Sequence, residues 1–144
     1  MRQYEMQSKI KLAIGNKAPE ITWEENGKQR KLSELHIADN YILVFWSTTC
    51  SHCLQEIPKL YEFSIENVAM HVVAVALEDN NKDFGQFVSK LTKWTNILGL
   101  KKWENDMAKE YKINATPTYF ILDKDKKIIA KPEHFEDVKA YFEN

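Results

Sequence analysis

The sequence has few glycines and prolines, four of each in 144 residues, and no internal repeat. That composition excludes a collagenous array, a long flexible linker or a low-complexity tail. It also lacks an excess of either charge: 20 Lys and Arg stand against 21 Asp and Glu, for a net charge of -1. Nothing electrostatic therefore favours nucleic acid or an anionic membrane as a partner. No apolar run approaches the length of a membrane-spanning helix, and the stretch Met1 to Gly15 is polar, without the apolar centre of a signal peptide. Cysteine is scarce, with two residues, so a disulfide framework and a four-cysteine zinc site are both excluded. What remains is 44% hydrophobic and 28% charged, a composition that fits one globular domain with a sizeable core.

The two cysteines stand together as Cys50-Ser51-His52-Cys53. They follow the apolar run Tyr41 to Trp46 and precede an amphipathic segment, Leu54 to Ile65. The pair is thus expected where a buried strand becomes a helix. Backbone N–H groups in the first turn of a helix have no intrahelical partner, and the positive end of the macrodipole lies there. A thiol in that position ionises more readily, and the thiolate is its reactive form. His52 supplies positive charge or a hydrogen bond to favour thiolate at the more exposed Cys50, and Cys53, one turn further in, is placed to resolve a mixed disulfide. As a staple the pair would be poor, since closing a four-residue loop contributes about 2 kcal/mol against about 4.7 kcal/mol for a long loop. A zinc site needs two more ligands, and His36, His71 and His134 are scattered singly. Two inert buried cysteines are the remaining alternative.

Along the chain, residues 1–14 read as a loosely ordered lead-in and residues 15–144 as the domain. Gly15 to Pro19 is a turn. Glu24-Glu25-Asn26-Gly27 between Ile21-Thr22-Trp23 and Lys28 to Leu32 predicts an N-terminal β-hairpin, Asn-Gly being a strong hairpin signal. Ser33-Glu34-Leu35 reads as one helical turn. A strand is expected over 41–46 and a helix from Cys50 to about Asn67, kinked at Pro58, with Leu54, Ile57, Leu60 and Tyr61 on its apolar face. Val68 to Leu77 reads as a strand covered on both faces, with His71 a structural residue. Glu78 to Asn81 reads as capping a helix that carries Phe84, Phe87, Val88 and Leu91. A strand over 95–98, a helix over 103–111, a hairpin about Asp123 to Lys126 and a closing helix over 133–142 complete an α/β sandwich with a mixed sheet.

The motifs Gly15-x-x-Ala18-Pro19, Val44-Phe45-Trp46-Ser47-x-x-Cys50-x-x-Cys53, Glu56-x-Pro58 and Tyr111-x-Ile113-x-x-Thr116-Pro117-Thr118 occur in this order. On them the chain, from about residue 15 to its end, resembles the TlpA/ResA-like group of thioredoxin-fold thiol-disulfide oxidoreductases. The resemblance implies a thioredoxin-like three-layer sandwich, a mixed central sheet flanked by helices, with the N-terminal hairpin added. It implies Cys50 and Cys53 as a redox disulfide pair, with Glu56 near them as the base that takes the Cys53 proton. Pro117 would be a cis-proline against the pair, with Trp46, Thr116 and Pro117 meeting the substrate. Thioredoxin itself places a buried aspartate six residues before its first cysteine, where this chain has Val44, so Glu56 is the candidate carboxylate. Thr49 replaces the usual tryptophan before the first cysteine, and Ser51-His52 replaces Gly-Pro.

The function implied is exchange of disulfides with protein thiols, as a reductant, recharged by a partner reductase or oxidase, by a monomer needing no cofactor or metal. A histidine before the second cysteine points instead toward oxidising relatives. A peroxiredoxin, which shares this fold, sets its cysteine in P-x-x-x-T-x-x-C, and Leu43 and Ser47 stand in the wrong places for that. A soft-metal carrier for copper on the same cysteines and a non-catalytic interaction domain are the alternatives from other classes. The resemblance favours an extracytoplasmic setting, the periplasm or cell envelope, with the leader absent from this chain; the cytoplasm is the alternative, because a C-x-x-C works in either compartment.

Overall fold

The computed structural model describes residues 11–143. Ten of the fourteen residues of the expected lead-in lie outside them; of the rest, Leu12 is buried against the core.

Two strands, β1 (Thr22–Glu25) and β2 (Lys28–Lys31), form a separate antiparallel hairpin. Asn26 and Gly27 turn it with φ of 54° and 79°, the left-handed backbone that a tight two-residue hairpin turn requires. A single 3-10 turn, Leu32–Glu34, then leads to the main sheet.

That sheet has five strands in the order β5-β4-β3-β6-β7: β3 (Asn40–Trp46), β4 (Met70–Glu78), β5 (Thr95–Leu100), β6 (Thr118–Asp123) and β7 (Ile128–Ala130). Strands β3, β4 and β5 run parallel, β6 returns antiparallel to β3, and β7 pairs antiparallel with β6. The helices are α1 (Ser51–Ile65), α2 (Phe84–Val88), α3 (Asp106–Glu110) and α4 (Phe135–Glu143). The segment near Gly15 is held to the last hairpin, where Gly15 N–H donates to the Ile128 carbonyl at 2.7 Å and Ala18 N–H to that of Lys126 at 2.8 Å.

Because side chains on a strand alternate between faces, the continuous apolar runs of β3 and β4 divide into two cores. Tyr41, Leu43 and Phe45 with Val73, Val75 and Leu77 face one way, against Trp23, Leu35 and Tyr111. Ile42, Val44 and Trp46 with Val72, Ala74 and Ala76 face the other, against α1 and α4. This is the expected three-layer, thioredoxin-like arrangement with the N-terminal hairpin added.

Several local readings need correction. The helix expected over 103–111 is broken at the extended Asn105 into a 3-10 turn, Lys102–Glu104, and α3, and Leu91 lies beyond the end of α2. The buried face of α1 consists of Cys53, Ile57, Leu60 and Ser64; Leu54, expected on it, is 42% exposed. At 3.6 residues per turn Leu54 lies about 100° round from Cys53, so once Cys53 points inward Leu54 points out. Val68 precedes β4 and is exposed, since the strand begins only at Met70. Glu78 ends β4 instead of capping α2, whose N-cap is Asp83 with no side-chain cap bond.

Candidate functional site

Strand β3 ends at Trp46, the chain turns through Ser47 to Thr49, and α1 begins at Ser51 with Cys50 as its N-cap. The site thus lies off the carboxyl end of a central parallel strand, the usual place for function in an open α/β sheet. Both cysteines are free thiols; Cys50 is half-buried and Cys53 fully buried.

Cys50 Sγ accepts a hydrogen bond from Cys53 N–H at 3.2 Å, a sulfur in the place of the usual capping oxygen. On the other side the Cys50 thiol donates to the Thr116 carbonyl at 3.3 Å. Burial draws the Cys50 pKa upward, but hydrogen bonds from the Cys53 thiol, the Thr116 side chain and the backbone N–H groups of Cys53 and His52 outweigh it. The net result lies below the ordinary thiol value. Cys53 goes the opposite way: burial first, then its bond to Cys50, push it up to about 12. Titrating the reduced protein with iodoacetamide should therefore show one fast-reacting thiol, Cys50, with its inflection shifted downward from that of an ordinary thiol. Cys53 stays unmodified across the neutral range. Peptide mapping of the alkylated cysteine checks this, and preferential labelling of Cys53 would contradict it.

His52 contributes through its backbone N–H; its ring is exposed on the first turn. The Thr116–Pro117 peptide is cis, and Thr116 and Pro117 are both half-buried beside Cys50. Trp46 is brought to the site but not to its surface. It is 1% exposed and packs edge-on against Phe87 with ring centres 6.0 Å apart, because even-numbered β3 side chains point into the helical layer. It shares a core cluster with Cys53 and lines a cavity with Leu54, Ile57, Pro58 and Phe87.

Glu56 lies one helical turn beyond Cys53, and its carboxylate is held by other elements. Oε1 accepts from the Tyr119 hydroxyl at 2.7 Å and from Phe135 N–H, at the start of α4, also at 2.7 Å. Its Oε2 faces His134 Nδ1 at 3.8 Å.

Three residues that sequence reasoning did not bring to the site complete it. The Glu78 carboxylate, 6% exposed, accepts from Thr48 N–H at 2.6 Å and from the Thr48 hydroxyl at 3.0 Å, tying the end of β4 to the loop before Cys50. Lys102 donates to Thr49 Oγ1 at 3.1 Å from a left-handed backbone. Tyr119, two residues beyond the cis-proline, is buried on the α1 side of the sheet. Of these only Glu78 leaves a trace in the sequence, as the first acid after an apolar β-branched run. Among the described residues no group of three or more His, Cys, Asp or Glu is gathered as a metal site.

Comparison with known proteins agrees with this geometry. A family model described as Thioredoxin-like matches residues 39–128. The thiol-disulfide oxidoreductase ResA of Bacillus cereus is 28% identical over 134 residues, which cover 85% of this chain and 71% of that protein. The crystal structure of a domain of a possible thiol-disulfide isomerase from Cytophaga hutchinsonii is 34% identical, covers 91% of both chains and superposes with a TM-score of 0.77. A thioredoxin-like protein from Bacteroides caccae covers 98% of this chain and 53% of its own, with a TM-score of 0.80 at 22% identity, a likeness of fold alone. With a Cys50-x-x-Cys53 pair heading its first long helix, the chain belongs to the thioredoxin-like family, among its thiol-disulfide oxidoreductases.

Proposed function

We propose that this protein reduces disulfides of protein substrates, with Cys50 as nucleophile and Cys53 as the resolving thiol. The Cys50 thiolate attacks one substrate sulfur, forming a mixed disulfide and expelling the other substrate sulfur as a thiolate. Cys53, giving its proton to Glu56, then attacks Cys50 Sγ, which forms the Cys50–Cys53 disulfide and releases the second substrate thiolate. Two electrons have passed to the substrate, and a partner reductase restores the dithiol. Thr116 and Pro117, beside Cys50, position an extended substrate segment, and His52 tunes Cys50. The setting is extracytoplasmic and the working unit a monomer, readings that rest on the family resemblance; no helix among the described residues is long and apolar enough to cross a membrane.

The observation that carries the reading is the asymmetry of the two thiols. Cys50 is half-exposed and easily ionised, as an attacking thiol must be. Cys53 is buried with its pKa near 12. Intrinsic thiolate nucleophilicity rises with pKa, so a Cys53 thiolate, once formed, closes the internal disulfide readily and favours the reducing direction. Equilibration in defined dithiothreitol or glutathione buffers tests this: the Cys50/Cys53 couple should lie near about -270 mV or below, as for thioredoxin. A value near about -120 mV would make the protein a disulfide donor and overturn the reductant role.

A further inference from the structure

Beyond the cysteines, a buried group of side chains and backbone holds Glu56. Tyr119 stands in β6 opposite Val44 of β3, on the sheet face that packs in one core with Cys53 of α1, and is 1% exposed. A buried tyrosine hydroxyl needs a partner, and this one takes Glu56 Oε1 at 2.7 Å. Phe135 N–H donates to the same oxygen at 2.7 Å. Two donors on one oxygen, from two different elements, fix the plane of the carboxylate and leave Oε2 toward His134, 3.8 Å away. The Glu56 side chain is only 16% exposed, so this clamp and not solvent sets its direction.

We propose that Tyr119 is a positioning residue for disulfide exchange, its hydroxyl clamping Glu56 through Oε1 so that the other carboxylate oxygen takes the proton of Cys53 as the mixed disulfide is resolved. This rests on the reading of Glu56 as the base for Cys53. In that step the Cys53 S–H bond breaks, the Cys50–Cys53 bond forms, the proton passes to Glu56, and the substrate sulfur leaves with the electron pair of the bond it loses. Such a clamp works only while the phenol keeps its proton. Burial, then the bond to Glu56, raise the Tyr119 pKa above the ordinary phenol value, so the hydroxyl donates throughout the neutral range. The titratable groups that face the Tyr119 hydroxyl are Glu56, Cys53 and Cys50 of α1, and His134, before α4, faces the same carboxylate.

The test is a stopped-flow reaction of the reduced protein with the aromatic disulfide DTNB. The first phase reports attack by Cys50 and the second the release of thionitrobenzoate as Cys53 resolves the mixed disulfide. Tyr119→Phe keeps the ring in the core and removes only the hydroxyl. It should slow the second phase by about three- to tenfold, displace its pH inflection, and leave the first phase unchanged. Glu56→Gln should slow the second phase by about tenfold or more, and adding Tyr119→Phe to it should do nothing further. If Glu56→Gln alters the second phase and Tyr119→Phe does not, the clamp is overturned while Glu56 stands. An equal slowing by Tyr119→Phe in the Glu56→Gln background also overturns it, since packing alone would do that. An unchanged second phase in Glu56→Gln overturns the Glu56 reading, and the role of Tyr119 with it. Should Tyr119→Phe not fold, fluorotyrosine at position 119, with the same ring and a more acidic hydroxyl, takes its place; an unmoved inflection then counts against the clamp.

Discussion

Cys50→Ala should reduce the rate of protein-disulfide reduction by about 10³-fold or more, to the background set by the assay's own reductant. The reason is local. Cys50 is the half-exposed thiol, and the buried Cys53 lies behind it, so no other cysteine in this sequence can take over the attack. The fold should survive, because the strand and helix on either side of Cys50 are held by their own cores. The substitution does remove the Cys50 Sγ that caps α1, a loss of about 1 kcal/mol. Cys50→Ser restores a capping oxygen and remains inactive, which separates the chemical loss from the structural one. Insulin reduction coupled to dithiothreitol measures the first, and urea denaturation the second. Substantial activity in Cys50→Ala would overturn the mechanism.

Leu60→Ala should be the most damaging simple truncation in α1, costing about 2–5 kcal/mol. Leu60 is fully buried and packs in the core that contains Cys53, Ile57 and Trp46, so its removal costs both the transfer of the side chain from water and the cavity left behind. For a chain of this size the melting temperature should fall by about 10 °C. Leu54→Ala is the matched control: the same chemical change six residues earlier, at an exposed position, should alter stability by less than about 0.5 kcal/mol. Urea titration of both variants in the reduced state, with the slope unchanged from wild type, checks the pair. Equal losses would mean that the inward face of α1 has been assigned wrongly.

The Leu54 position shows how far sequence patterning reaches. Leu54, Ile57, Leu60 and Tyr61 have helical spacing, and that spacing predicts a helix with one apolar side, which is present. What spacing does not contain is the phase, because Cys53 counts as a small apolar residue only when it is buried. Once Cys53 turns inward the buried stripe becomes Cys53, Ile57, Leu60 and Ser64, and Leu54 rotates to the surface beside the site. Strand alternation likewise sets the face of Trp46, which points into the core on the α1 side of the sheet.

Local sequence determined the strand-to-helix junction, the place of both thiols at the helix head, the Asn26-Gly27 turn and the two-faced apolar strands. All of these rest on contacts between near neighbours along the chain, and hydrogen-bond geometry and side-chain period make them readable from residue order. Tertiary structure alone decided that Glu78 reaches back 30 residues to Thr48, that Lys102 meets Thr49, and that Tyr119 and the head of α4 close on Glu56 from 63 and 79 residues away. No pattern in one dimension encodes such pairs. They form because a buried carboxylate or hydroxyl without a partner costs several times what a satisfied one contributes, so each must find whatever donor or acceptor the packed layers bring beside it.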